Sequence, residues 1–159
     1  MDKQKAKDPF VYDKAKYHYD GEFSQELPQE QGFVHTGMFL GWVIDSQMYS
    51  EEFKQDLDEY IVAFRARGMT GPKVFEACDG VLMDDMLSDE GNSFAQDYFV
   101  LGRGNYLRDY MELLGKRLPT PYHVQDTWEN YDKLKKRIDR RYKDWERKNS
   151  PNLWKRIFG

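Results

Sequence analysis

Gln31–Ile44, QGFVHTGMFLGWVI, is the longest nearly uncharged run in a chain in which one residue in three is charged, and His35 is its only titratable side chain. On a helix, Phe33, Gly37, Leu40 and Ile44 fall along one side and Val34, Met38, Gly41 and Trp42 along another. A helix that is apolar on most sides belongs inside a core. The segment is therefore read as a central helix around which the others pack. Pro28 suits its first turn and Glu30 its positive end.

Working outward, Ser50 is a good N-cap, and Phe53, Leu57, Tyr60, Ile61 and Phe64 recur at helical spacing until Gly68. Thr70-Gly71-Pro72 opens a short helix that Asp79-Gly80 closes. Val81–Leu87 reads equally as a short helix or an extended piece. Ser88 starts a helix through Phe94, Ala95, Tyr98 and Phe99, and Tyr106 starts another that ends at Gly115. Asp126 and Glu129 have capping-box spacing ahead of a long helix whose stripe is Trp128, Tyr131, Leu134, Ile138, Tyr142 and Trp145. Ser150-Pro151 restarts a short helix carrying Leu153, Trp154, Ile157 and Phe158. Toward the N-terminus, Tyr12, Tyr17, Tyr19 and Phe23 punctuate a polar arm, read as a short helix and an extended piece laid over the core. The expected fold is all-α: residues 1–9 a disordered polar N-terminus, residues 10–159 a single helical bundle of about seven helices.

At 159 residues the chain is one ordinary domain. Aromatics at 16% supply a large apolar payload despite the charge. A single cysteine, Cys78, excludes an intramolecular disulfide and a Cys-rich zinc site. No run reaches the length of a membrane span, and the start MDKQKAKD has no signal-peptide core, so a soluble cytoplasmic protein without membrane contact is expected. The net charge of −4 conceals a segment of +8 from Lys133 onward and a remainder of −12. Such a body attracts either its own basic helix or a charged partner.

The three histidines, His18, His35 and His123, show no HxxxH, HExxH or ExxH spacing, so no metal ligand, cofactor or catalytic residue is assigned from motifs. A pocket lined by His18, Tyr19, His35 and Trp42 is the enzymatic or metal-binding alternative. The plainer reading of His35 is a core histidine bonded to a carbonyl or a tyrosine. Asp79, Asp84, Asp85, Asp89 and Glu90 form an acidic cluster that either caps helices or receives a basic partner. Gly102-Arg103-Gly104 lacks the companions of a phosphate loop. Lys135, Lys136, Arg137, Arg140, Arg141 and Lys143 offer a nucleic-acid face, against which the acidic whole-chain pI of about 5.4 argues.

The stretches YHYDGEF, LPQEQGFVHTGMFLGWVID, DGVLMDDMLSDEGNSFAQDYF and YHVQDTWENYDKLKKRIDRRY, spanning about Tyr17 to Tyr142, resemble a family of small uncharacterised bacterial proteins with a Tyr-His-Tyr arm, an HxGMxLxW helix and a terminal DTWxNY helix. That resemblance implies a class and little mechanism. By analogy with small acidic immunity proteins, it suggests a protein-binding module, not an enzyme, that neutralises a basic, toxin-like partner. Asp84, Asp85, Asp89 and Glu90 are the candidate patch, with electrostatics speeding the encounter.

Overall fold

The structure is a computed structural model that describes residues 8–21, 23–100 and 102–149. The expected loose N-terminus up to residue 7 and the expected helix after Ser150 lie outside the described residues. The order is β1 (Val11–Lys14), α1 (Ala15–Tyr19), α2 (Val34–Asp45), α3 (Glu51–Arg65), α4 (Gly71–Ala77), β2 (Val81–Met83), α5 (Asp89–Tyr98), α6 (Tyr106–Tyr110) and α7 (Trp128–Asn149). Short 3₁₀ turns at Gln29–Phe33, Asp84–Met86 and Pro121–His123 join them, and a π-turn, Met111–Gly115, extends α6. The domain is mostly helical, as the periodicity predicts, with one small two-stranded antiparallel sheet added.

Helix α2 is the centre. Eleven of its twelve residues are buried, and only Asp45 reaches the surface. Helix α4 crosses it at backbone contact. A Cβ on Gly37 would sit 2.3 Å from the Pro72 Cα, and one on Gly71 would sit 2.2 Å from the Gly37 carbonyl oxygen. Two glycines therefore set how closely these helices approach. Phe39 stacks on Phe99 at 4.5 Å, and Trp42 meets Phe94 and Tyr142, so α5 and α7 close other sides.

Helix α7 is held by polar ties as well as by its buried Tyr131, Leu134 and Ile138. The Trp42 indole N–H donates to Asp139 at 2.9 Å, and the Tyr131 hydroxyl to Asp45 at 2.5 Å. Asp109, fully buried on α6, accepts from Arg137, Arg141 and Tyr98. Burial alone would raise its carboxyl; the Arg141, Tyr98 and Arg137 donors hold it below the usual carboxylate range.

Several boundaries have identifiable causes. Ser50 and Ser88 cap α3 and α5 by accepting from Phe53 N–H and Gly91 N–H. At the start of α7 the cap is Thr127, accepting from Asn130 N–H, and not Asp126 as the capping-box spacing predicts. Asp126 is drawn away to the Thr70 hydroxyl at 2.6 Å. At the end of α3 the left-handed residue is Arg67 (φ 58°) rather than Gly68. Its guanidinium lies 4.6 Å over the Trp128 ring and pairs with Asp132, which fixes the turn from outside. Val81–Leu87 resolves into strand β2 followed by a 3₁₀ turn.

Gly37→Ala is expected to cost at least about 3 kcal/mol, because the added methyl meets α4 backbone and not a side chain that can turn away. Urea unfolding of the variant against wild type measures this.

Candidate functional site

The site begins with a bulge. Strand β1 pairs with β2 as Val11↔Met83, Asp13↔Leu82 and Lys14↔Val81, with the register slipping between Val11 and Asp13. Alternation along a regular strand sends neighbours to opposite faces, whereas a bulge breaks it. Consecutive Tyr12 and Asp13 are accordingly both buried. Ala15 N–H then donates to the Gly80 carbonyl, and the single turn of α1 swings His18 back beside Asp13.

The third member comes from α2. His35 and Thr36 lie in the first turn of a helix that is buried all round, so their polar groups need partners from elsewhere in the chain. The Thr36 hydroxyl donates to Asp13 Oδ2 at 2.5 Å. His18 Nε2 lies 2.8 and 2.9 Å from the two Asp13 oxygens, and His35 Nε2 lies 3.2 Å from His18 Nε2 and 3.4 Å from Asp13 Oδ2. On the far edge of the His18 ring, Nδ1 is 2.7 Å from the Tyr122 hydroxyl. The Tyr122 loop is fastened in turn by Gln31, whose amide donates to the Tyr122 and Val124 carbonyls. The Tyr106 hydroxyl donates to the His35 carbonyl.

Burial sets the electrostatics. Asp13 is 2% exposed, His35 3% and His18 13%. Burial by itself would raise the Asp13 carboxyl, but hydrogen bonds and charge from His18 and His35 reverse that and hold it well below the usual range. Burial pushes His35 down, the direction that favours the neutral imidazole, and its hydrogen bond and charge interaction with Asp13 oppose this. A carboxylate and an unprotonated imidazole are the forms in which such groups bind a metal.

The distances suit a metal ion. Zinc binds imidazole nitrogen and carboxylate oxygen at about 2.0–2.2 Å. With Asp13 Oδ2, His18 Nε2 and His35 Nε2 at separations of 2.9, 3.2 and 3.4 Å, a point about 2.05 Å from all three lies roughly 0.9 Å outside their plane. The donor angles there are roughly 90–112°, between octahedral and tetrahedral values. At these separations a single ion can reach all three atoms at zinc bond lengths. Among the described residues this is the cluster of histidine, cysteine and carboxylate groups with metal-ligand spacing.

Other predicted residues lie elsewhere. The Tyr19 hydroxyl donates to the Gln29 carbonyl, and its ring packs on Phe23 and Phe33. Trp42 is fully buried with its N–H on Asp139, part of the seam with α7. His123 faces the Thr120 hydroxyl. Cys78 is half-buried, its thiol pushed up to about 11 by burial and Asp79, which suits a structural role.

The acidic residues sit in different local settings. Asp84 is half-buried, with its N–H on the Phe10 carbonyl and its own carbonyl accepting from Asn92. Asp89 and Glu90 are exposed in the first turn of α5, and Glu90 accepts from the Tyr142 hydroxyl. Asp85 instead joins Glu52, Asp56 and Asp79 around a cleft of about 260 Å³ floored by Leu57 and Met86. Of the six α7 cations read as a nucleic-acid face, Arg137 and Arg141 are bound to Asp109 and Lys135 to Asp139.

Asp13 is the residue that sequence reasoning missed. Its link to His18, five positions on across a strand–helix junction, matches no motif. A buried turn with His35 and Thr36 side by side was the signal that a charged partner had to exist.

The family model described as "Domain of unknown function (DUF7832)" matches residues 11–124, and the chain belongs to that family. The matched span takes in Asp13, His18, His35 and Tyr122, the whole candidate centre. No curated protein and no solved structure matches the chain. Among the described residues, no helix is long and apolar enough to cross a membrane.

In chelator-treated protein, Asp13→Ala is expected to cost about 3 kcal/mol, because two buried imidazoles and the Thr36 hydroxyl lose their shared acceptor. Denaturant midpoints in the presence of chelator, where no ion contributes, give this value.

Proposed function

We propose that this chain is a metal-clamped helical domain in which Asp13, His18 and His35 hold one divalent transition-metal ion. The observation that carries the reading is the convergence of two imidazole nitrogens and a carboxylate oxygen at separations of 2.9 to 3.4 Å. Two imidazoles and a carboxylate favour Zn²⁺ or Fe²⁺ over the all-oxygen preference of Mg²⁺ or Ca²⁺. Thr36 would orient the carboxylate and Tyr122 the His18 ring, the usual outer support of such ligands.

The ion's role is structural on this reading. A cavity of about 410 Å³ is lined by Gln31, Val34, Lys73 and Asp126 among others and lies apart from the triad. Two ligands sit on the N-terminal arm and one on the central helix, so an ion there ties the arm to the core. Metal free energy then becomes folding free energy.

Purified protein is expected to bind one Zn²⁺ per chain by elemental analysis. At an ion concentration near 100 times Kd, the gain is about 2.7 kcal/mol, or a melting temperature roughly 5–10 °C above chelator-treated protein. His35→Ala should abolish both. An equal metal content in wild type and His35→Ala would overturn the assignment.

A second reading, that the domain binds a basic, toxin-like protein as an immunity protein does, is favoured by the cleft where Glu52, Asp56, Asp79 and Asp85 surround Leu57 and Met86. Carboxylates around an apolar floor suit a lysine or arginine side chain, whose stem is apolar and whose head is charged. The proposed binding surface thereby shifts from the α5 start to this cleft. A pull-down from the native host at moderate salt is expected to retain a stoichiometric partner on wild type and lose it on Asp56→Lys/Asp85→Lys. Equal retention by both would remove the reading.

A further inference from the structure

Among the described residues, two buried side-chain polar atoms lack a hydrogen-bond partner, His35 Nδ1 and the Tyr110 hydroxyl. Their rings are neighbours, with centroids 6.3 Å apart and planes 67° from parallel. His35 is 3% exposed and Tyr110 fully buried, so bulk water does not reach either. Leaving a polar atom unpaired in such a place costs about 1–3 kcal/mol each, and native interiors rarely tolerate it. Two orphans on adjacent rings share one remedy. A water molecule spans about 5.6 Å between two partners at ordinary hydrogen-bond lengths and can donate to one and accept from the other.

We infer that an internal water bridges His35 Nδ1 and the Tyr110 hydroxyl and makes Tyr110 a positioning residue of the metal centre. The positioning half of this inference rests on the metal reading above. His35 binds an ion through Nε2, which requires the proton to stand on Nδ1 and to have an acceptor there. Asp13 and His18 occupy the Nε2 side of the ring. The bridge supplies the acceptor on the other side, and α6, through Tyr110, fixes the orientation of a ligand carried by α2. His18 receives the equivalent support directly, from the Tyr122 hydroxyl 2.7 Å from its Nδ1. Both ligand imidazoles are thus backed by a tyrosine, one in contact and one through water. Tyr106, a turn away from Tyr110, already holds the His35 backbone carbonyl, so α6 grips this residue at two points.

Two measurements on the full chain test this. In a high-resolution crystal structure of the metal-free protein, an ordered oxygen is expected within hydrogen-bond distance of both atoms. Dry space or apolar contact between the rings would overturn the bridge whether or not the protein binds metal. In zinc titrations, Tyr110→Phe is expected to raise Kd tenfold or more, while the zinc-loaded wild type shows His35 as the Nδ1-protonated tautomer by long-range ¹H–¹⁵N correlation. A hydroxyl with only a packing role would leave the zinc Kd unchanged in Tyr110→Phe, and that result would overturn the positioning role. Wild-type protein that takes up no zinc would instead sink the metal reading and the positioning role with it, leaving the crystal to decide the bridge.

Discussion

Burying a helix on every side is the constraint from which the rest of this structure follows. Helix α2 carries eleven buried residues, and its surroundings must be supplied by chain from both ends. Where its surface is apolar, the answer is aromatic: Phe94, Phe99, Tyr106 and Tyr142 pack against Phe39 and Trp42. Where it is smooth, at Gly37 and Gly41, neighbours approach to backbone or ring contact. Where it is polar, at His35 and Thr36, apolar packing would strand hydrogen-bonding groups, and the N-terminal arm delivers Asp13 and His18 instead.

A buried carboxylate is costly unless it is paired, and among the described residues Asp13 and Asp109 are buried by different means. Asp109 is compensated by two guanidiniums reaching across from α7. Asp13 faces two imidazoles, one of which burial biases toward its neutral form, and a threonine hydroxyl. The second arrangement is poorer in positive charge and richer in lone pairs. A divalent cation at the triad would supply what the guanidiniums supply at Asp109. Two cations of the basic C-terminal helix, Arg137 and Arg141, are in this way spent on the acidic body.

Helical periodicity made the fold legible because most of the chain is amphipathic and α2 conspicuously is not. Ser50 and Ser88 were readable as caps because each acts on its own helix. Asp126 and Gly68 misled because distant partners decide those ends: Thr70 captures the first, and Trp128 with Asp132 secures Arg67 in place of the second. The site was half legible. His35 stood out within the buried run and His18 was named with it as a possible pocket, but Asp13 enters through a β-bulge, a feature of strand register that side-chain pattern does not encode. Tyr122, more than a hundred positions from its partner His18, depends on the same tertiary closure.

The central claim is that Asp13, His18 and His35 form one metal centre. The most direct measurement is anomalous diffraction from crystals of the zinc-loaded protein, recorded on either side of the zinc edge. A single peak about 2.0–2.2 Å from His18 Nε2, His35 Nε2 and an Asp13 carboxylate oxygen is the predicted result. Zinc bound only at other sites, with the two imidazoles still hydrogen-bonded to Asp13, would contradict it.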